Sequence, residues 1–204
     1  VPTGGGKTEC AIAVTKYARE KGKKVLFLCN RKDLVRQTVA RFAKYGINTG
    51  VLQGKNTWRP FDELVVGSIQ TLASRMKYGH YFDFDFLIVD EAHTCAGSKQ
   101  YRELFRQWNN IPVLGLSATP FSKGLGSQGM FEEIVTGATI EELINQGFLV
   151  DVEAYAPSEP DLRGVKIVAG DYHEKQLGLA VDKEELIGDI VTHWLKIAQN
   201  RQTV

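Results

Sequence analysis

Residues 2–8 read Pro-Thr-Gly-Gly-Gly-Lys-Thr, and residues 90–93 read Asp-Glu-Ala-His directly after the apolar run Phe86-Leu87-Ile88-Val89. The first stretch has the make-up of a phosphate cradle. A nucleoside triphosphate carries about four negative charges at neutral pH and needs many donors at close range. Gly4, Gly5 and Gly6 have no Cβ, so the backbone can curl and aim successive N–H groups at one anion. Lys7 adds a mobile charge for the β- and γ-phosphates, and the Thr8 hydroxyl suits Mg²⁺. From Thr8 the pattern predicts a helix ending at Gly22, its positive end facing the phosphates. Pro2, Thr3, Gly4, Gly5, Gly6, Lys7 and Thr8 are thus the candidate ATP-binding loop. The full pattern G-x-x-x-x-G-K-[ST] has Gly where this chain has Val1. An ordinary glycine-rich turn is the competing reading, and Lys-Thr directly after three glycines argues against it.

The second stretch supplies carboxylates. Residues 84–89 read as a buried strand with a polar start, which puts Asp90 and Glu91 at its C-terminal end. In open parallel sheets, ligands bind outside the carboxyl ends of strands. Asp90 suits Mg²⁺ held through a water, because magnesium dehydrates reluctantly. Glu91 suits orienting and deprotonating an attacking water. A strand-end Asp-Glu that merely caps the next element is the alternative, and the upstream phosphate loop weighs against it. His93 has no second His at helical spacing and no Cys-x-x-Cys beside it, which argues against a metal cluster.

An α/β frame has to position these groups. Short apolar runs recur at 25–29, 64–66, 86–89 and 113–116 without clean alternation, as buried parallel strands do. Helical patterns separate several of them. Residues 32–45 carry Leu34, Val35, Val39, Phe42 and Ala43 on one side, with Gly46 as the stop. Ser98 caps a helix with Tyr101, Leu104, Phe105 and Trp108 at i, i+3, i+4, i+7, a core stripe rather than a base-stacking platform. Thr139 and Glu142 form a capping box, and Gly147 ends that helix. Residues 149–155 read as a further strand. Pro157, Pro160, Gly164, Gly170 and Gly178 make 156–180 read as a connector. A helix then opens at Asp182-Lys183-Glu184-Glu185, with Ile187, Ile190, Val191, Trp194 and Ile197 along a face that needs a partner surface.

Composition excludes some classes. With 25 basic and 24 acidic residues the net charge is +1, so any nucleic-acid contact must come from local patches. Apolar content of 43% is that of a chain able to build its own core. Cys10, Cys29 and Cys95 are few and widely spaced, two of them in apolar segments, which reads as reduced thiols of an intracellular, cytoplasmic protein. No run approaches the ~20 apolar residues of a membrane span. Arg31, Lys32, Arg36, Arg41 and Lys44 cluster on and before one helix; for Arg41 and Lys44 a solvated face is the favoured reading.

These residues resemble the motifs of superfamily 2 helicases. Residues 2–8 resemble motif I and 90–93 a DEAH-type motif II. Ser117-Ala118-Thr119 looks like motif III, Asn30-Arg31-Lys32 like motif Ia, and Ser68-Ile69-Gln70-Thr71-Leu72 like the nucleic-acid-contacting motif between Ia and II. The stretches 123–126, 131–135 and 144–157 are similar to phage and bacterial DEAH helicases, relatives of type III restriction translocating subunits. The resemblance implies a RecA-like P-loop NTPase domain with a mainly parallel sheet flanked by helices. It implies ATP and Mg²⁺ as cofactors, with Lys7, Asp90 and Glu91 as catalytic groups. It implies nucleic-acid contacts at Asn30, Arg31, Ser68, Gln70 and Thr71, with DNA favoured over RNA. His93, Ser117 and Thr119 would couple the two sites. It also implies a domain over 1–156, a connector and helix over 157–204, and a second RecA-like domain that completes the site. A double-stranded DNA translocase that never separates strands, or a scaffold that binds ATP without turnover, are the alternatives. A small-molecule P-loop kinase would lack the Ser-Ala-Thr and Ser-Ile-Gln-Thr motifs.

Overall fold

The computed structural model describes residues 1–55, 62–121, 125, 131–151, 160–168 and 171–199, the stretch 184–190 by its backbone alone. Two compact units divide the chain, Val1–Val150 and Asp151–Val204.

The first unit is built on strands β1 (Val25–Cys29), β2 (Gly50–Leu52), β3 (Leu64–Ser68), β4 (Phe86–Val89) and β5 (Val113–Gly115). They form one sheet in the order β2-β3-β1-β4-β5, every pair parallel. Helices α1 (Lys7–Glu20), α2 (Lys32–Lys44), α3 (Ile69–Lys77), α4 (Lys99–Gln107) and α5 (Ile140–Asn145) accompany it. This is the parallel, helix-flanked sheet that the alternating pattern predicts.

β1 lies at the centre, and all five of its residues are buried. Val25, Phe27 and Cys29 pack with Ala11 and Ile12 of α1 and Val35 and Phe42 of α2. Leu26 and Leu28 pack on the other face with Ile69 and Leu72 of α3 and Tyr101 and Leu104 of α4. A strand covered on both faces must be apolar at every position, which is why no alternation shows. Burying a side chain such as Phe27 contributes about 1.5–3 kcal/mol. Phe105 and Trp108 pack against the same cluster as Tyr101 and Leu104, so the aromatic stripe of α4 is core, as expected.

The strand register fixes which residues share an edge. Cys29 pairs with Ser68, and Leu28 with Val89. The ends of β1, β3 and β4 are therefore level, and the candidate residues that follow each strand emerge along one edge. At the opposite edge Asp85 pins β4 to β1: it accepts from Lys24 N–H at 2.9 Å and from Lys23 Nζ at 3.1 Å.

Two expectations need correction. Residues 149–151 are not in a strand. The N–H groups of Phe148 and Leu149 both donate to Leu143 O, at 2.9 and 3.1 Å, so this backbone closes the end of α5 instead of joining a ladder; residues 152–159 lie outside the described set. The stretch 156–180 is not a plain connector either. Its described part holds an antiparallel pair, β6 (Ile167–Val168) and β7 (Asp171–Tyr172), and helix α6 (Glu174–Val181). Gly178 sits within α6 facing open space. An exposed helical glycine costs only about 1 kcal/mol, too little to break the element. The last helix, α7 (Glu184–Ala198), forms where expected. Val191, Trp194 and Ile197 on it are 52%, 42% and 39% exposed.

Candidate nucleotide and nucleic-acid site

The candidate phosphate loop, residues 2–8, takes the curled form that its glycines permit. Gly4 and Gly6 have φ of 75° and 84°, a left-handed conformation that a side chain would strain. Gly5 N–H donates to Pro2 O at 3.0 Å, closing the turn. Gly6 is the N-cap of α1, and the helix begins at Lys7, one residue before the expected start. Lys7 and Thr8 are half-buried at the positive end of α1, while Thr3 is exposed.

At the C-terminal end of β4, Asp90 N–H donates to Leu28 O at 2.9 Å, continuing the ladder one step past the strand. Asp90 Oδ1 accepts from Glu91 N–H at 3.0 Å. Glu91 then turns left-handed, with φ 50° and ψ 51°, into a short 3-10 helix over Ala92–Cys95. Ala92 N–H donates to Leu116 O at 2.8 Å, which ties this turn to the segment after β5. His93 Nδ1 lies 3.1 Å from Ser117 Oγ and 3.3 Å from Glu91 Oε2. Ser117 Oγ also accepts from Thr119 N–H at 3.0 Å. The fold thus brings Asp90, Glu91, His93, Ser117 and Thr119 into one cluster.

Burial raises the Asp90 pKa above its ordinary value, and the neighbouring Glu91 carboxylate adds to this. The Glu91 N–H, the Lys7 ammonium and His93 oppose the rise. Lys7, far away in sequence, is therefore brought within electrostatic reach of Asp90. A half-buried carboxylate beside a second one, with a hydroxyl at Thr8, is a donor set that fits a hard divalent cation. The described residues include no group of three or more His, Cys, Asp or Glu that could hold a metal. Magnesium here would draw its other ligands from water and phosphate, its usual habit.

A second group lies at the ends of β1 and β3. Gln70 Nε2 donates to Asn30 O at 3.0 Å. Ser68 is 3% exposed, and its hydroxyl caps α3, accepting from Thr71 N–H at 3.2 Å and donating to Thr71 Oγ1 at 2.9 Å. Arg31 and Gln70 are exposed at this edge, Asn30 and Thr71 half-buried. Asn30 Oδ1 is buried without a hydrogen-bond partner. Arg41 pairs with Glu9 of α1 and is engaged within the fold.

Several site-building residues escape a reading of the sequence. Gly54, after β2, donates its N–H to Thr71 Oγ1 at 3.1 Å, and its carbonyl accepts from Arg75 at 2.9 Å. Gln53 Nε2 donates to Lys32 O at 3.1 Å. The Gln-Gly-Lys turn after a short apolar run was the available signal. Leu143 and Leu149 stand against the phosphate loop, and nothing local announces them.

The parallel, helix-flanked sheet is that of a RecA-like domain of the superfamily 2 helicase class. Residues 1–122 match the family of the res subunit of type III restriction enzymes, and the chain belongs to that family. It is 28% identical over its whole length to a 51.5 kDa protein of a Lactococcus phage (isolate 7-9), covering 42% of that protein. It is 26% identical over 227 aligned residues to the endonuclease subunit of a type I restriction enzyme of Staphylococcus saprophyticus, with 98% of this chain and 24% of that protein covered. Among solved structures, the Hef helicase domain of Pyrococcus furiosus matches 82% of this chain and 36% of its own, with 27% identity and a TM-score of 0.51. The chain thus spans less than half the length of these relatives. No helix among the described residues is long and apolar enough to cross a membrane.

Proposed function

We propose that the domain binds ATP with Mg²⁺ and, together with a second RecA-like domain, couples hydrolysis to movement along nucleic acid or its unwinding, with DNA favoured. The observation that carries this reading is geometric: the left-handed Gly4 and Gly6 lead into α1 at Lys7, and Asp90 and Glu91 follow directly on the C-terminal end of β4, level with the ends of β1 and β3. In this reading the loop 2–8 holds the phosphates, with Lys7 on the β- and γ-groups. Thr8 and Asp90 would hold Mg²⁺, which neutralises phosphate charge when bound. Glu91 accepts the proton of the attacking water. Asn30, Arg31, Gln70 and Thr71 meet phosphate and sugar, with Ser68 as their support. Such contacts position a strand without reading its sequence. Ser117 and Thr119, joined to His93, link the two groups. Residues 1–156 would form the motor domain and 157–204 the approach to its partner domain.

Calorimetry with Mg-ATP on the native chain and on Lys7→Ala tests the reading. Loss of at least ~10-fold in affinity, about 1.4 kcal/mol, is expected. Equal binding by both would remove Lys7 from the site. The restriction-enzyme family match favours a second reading of the same motor, duplex translocation without strand separation. Displacement of a third strand from a triplex, with no release of single strands, would select it.

A further inference from the structure

The phosphate loop has a back wall, and that wall is α5. A Cβ added to Gly5 would stand 3.0 Å from Leu143 Cδ1, 3.0 Å from Val1 Cγ1 and 3.1 Å from Pro2 O. One added to Gly4 would stand 3.0 Å from Leu149 Cδ2. Val1 is held in turn against Gly137, whose added Cβ would meet Val1 Cγ2 at 2.7 Å. Three hydrophobic side chains therefore press on the loop backbone where its glycines leave room.

α5 has little other packing. Leu143 is its one buried residue, while Ile140 is 56% exposed and Phe148 just after it 73% exposed. Yet its ends are firmly built. Thr139 and Glu142 close a reciprocal capping box at the start. Gly147, at φ 77°, turns the chain at the other end, where Phe148 and Leu149 N–H groups both bond back to Leu143 O. A helix well closed at both ends, which buries a single side chain against a ligand loop, acts on that loop.

We infer that α5 and its closing turn are the seat of the phosphate loop, and that Leu143 is a positioning residue for phosphate binding. This rests on the nucleotide reading above and adds a requirement to it. The donors of residues 4–6 must be held within a fraction of an ångström to converge on one phosphate. Leu143 supplies the fixed surface against which Gly5 stops. The side chain touches no phosphate and acts only through the loop backbone. Gly5, unlike Gly4 and Gly6, is not at positive φ, so Ala at this position is opposed by space alone. That makes the pair a clean test.

The test is a double-mutant cycle in the 204-residue chain, read by Mg-ATP calorimetry and by thermal melting without nucleotide. Leu143→Ala should weaken Mg-ATP by ~10-fold and Leu143→Val by ~3-fold, with Leu143→Met close to native, since small misplacements of binding groups cost this much or more. Gly5→Ala should weaken binding more than ~10-fold in the native background and by a clearly smaller factor in the Leu143→Ala background, because the Leu143 share of the crowding is gone while Val1 Cγ1 and Pro2 O remain. General destabilisation would make the two losses multiply, and that result overturns the assignment. So would native affinity in Leu143→Ala, or in Leu143→Val should the alanine variant not fold. If the native chain binds no Mg-ATP, the nucleotide reading falls and this inference falls with it. Native binding with indifferent variants removes only the seat.

Discussion

Asp90 Oδ1 accepts the N–H of Glu91 at 3.0 Å, and this bond holds Glu91 in a left-handed conformation with φ 50°. A non-glycine residue in that region carries strain of about 1–2 kcal/mol. The strained turn points the Glu91 carboxylate to His93 and, through it, to Ser117.

Glu91→Gly is expected to raise stability by ~1 kcal/mol in urea unfolding, because glycine adopts that backbone without penalty. Glu91→Gln is expected to leave Mg-ATP affinity within about twofold and, in a preparation carrying both RecA-like domains, to lower turnover by ~10²–10⁴. A loss of stability in the glycine variant, or near-native turnover in the glutamine variant, would contradict the assigned roles.

Asp90→Asn should be more stable than the native chain in EDTA at neutral pH. Burial and the Glu91 carboxylate disfavour the Asp90 charge, and asparagine can still accept the Glu91 N–H. A rise of about 1–3 °C in Tm is expected for a domain of this size. The same variant should lose the magnesium dependence of ATP binding. An unchanged or lower Tm would mean that the charge is not held at a cost.

Asp85 gives a pH dependence of known sign. Its pKa is held below the ordinary 3.8, chiefly by the Lys24 N–H and then by the Lys23 side chain. A depressed carboxylate contributes stability that is present above its unfolded pKa and lost as pH falls through its folded one. Asp85→Asn should therefore melt about 1–3 °C below native at pH 7, and the gap should close as pH falls below about 4. A gap that persists at pH 2 would assign the effect to packing.

Ser117→Ala removes a partner from both His93 Nδ1 and the Thr119 N–H. Stability should fall by ~1 kcal/mol. Mg-ATP affinity should stay within about twofold, while stimulation of hydrolysis by nucleic acid, again with both domains present, should fall ~10-fold or more. Full stimulation in the variant would take Ser117 out of the coupling.

The 204-residue chain by itself should show little phosphate release, with or without DNA or RNA. In the proposed motor the site closes between two RecA-like domains and the second supplies an arginine finger, a group worth ~10³–10⁵ in rate in nucleotide hydrolases. Robust stimulation by any strand would show that this chain is self-sufficient, for instance by pairing with another copy.

The curl of the glycine loop, the central strands and the capping box of α5 could all be read along the chain, because each depends on neighbours within a few residues. Backbone sterics let Gly4 and Gly6 turn left-handed, and a strand covered on both faces must be apolar throughout. β2 stayed hidden because a three-residue edge strand carries too little pattern. β6 and β7 stayed hidden because two-residue strands carry too little pattern, and α6 because Gly178, which looks like a break, sits where nothing crowds it. The pairing of Arg41 with Glu9 and the approach of Leu143 to Gly5 join residues distant in sequence. Those contacts follow from the order β2-β3-β1-β4-β5 and from how α5 closes. Local preference is summed over a few residues and says which elements form. Which elements then meet is decided by burying their faces together, and that depends on the whole chain at once.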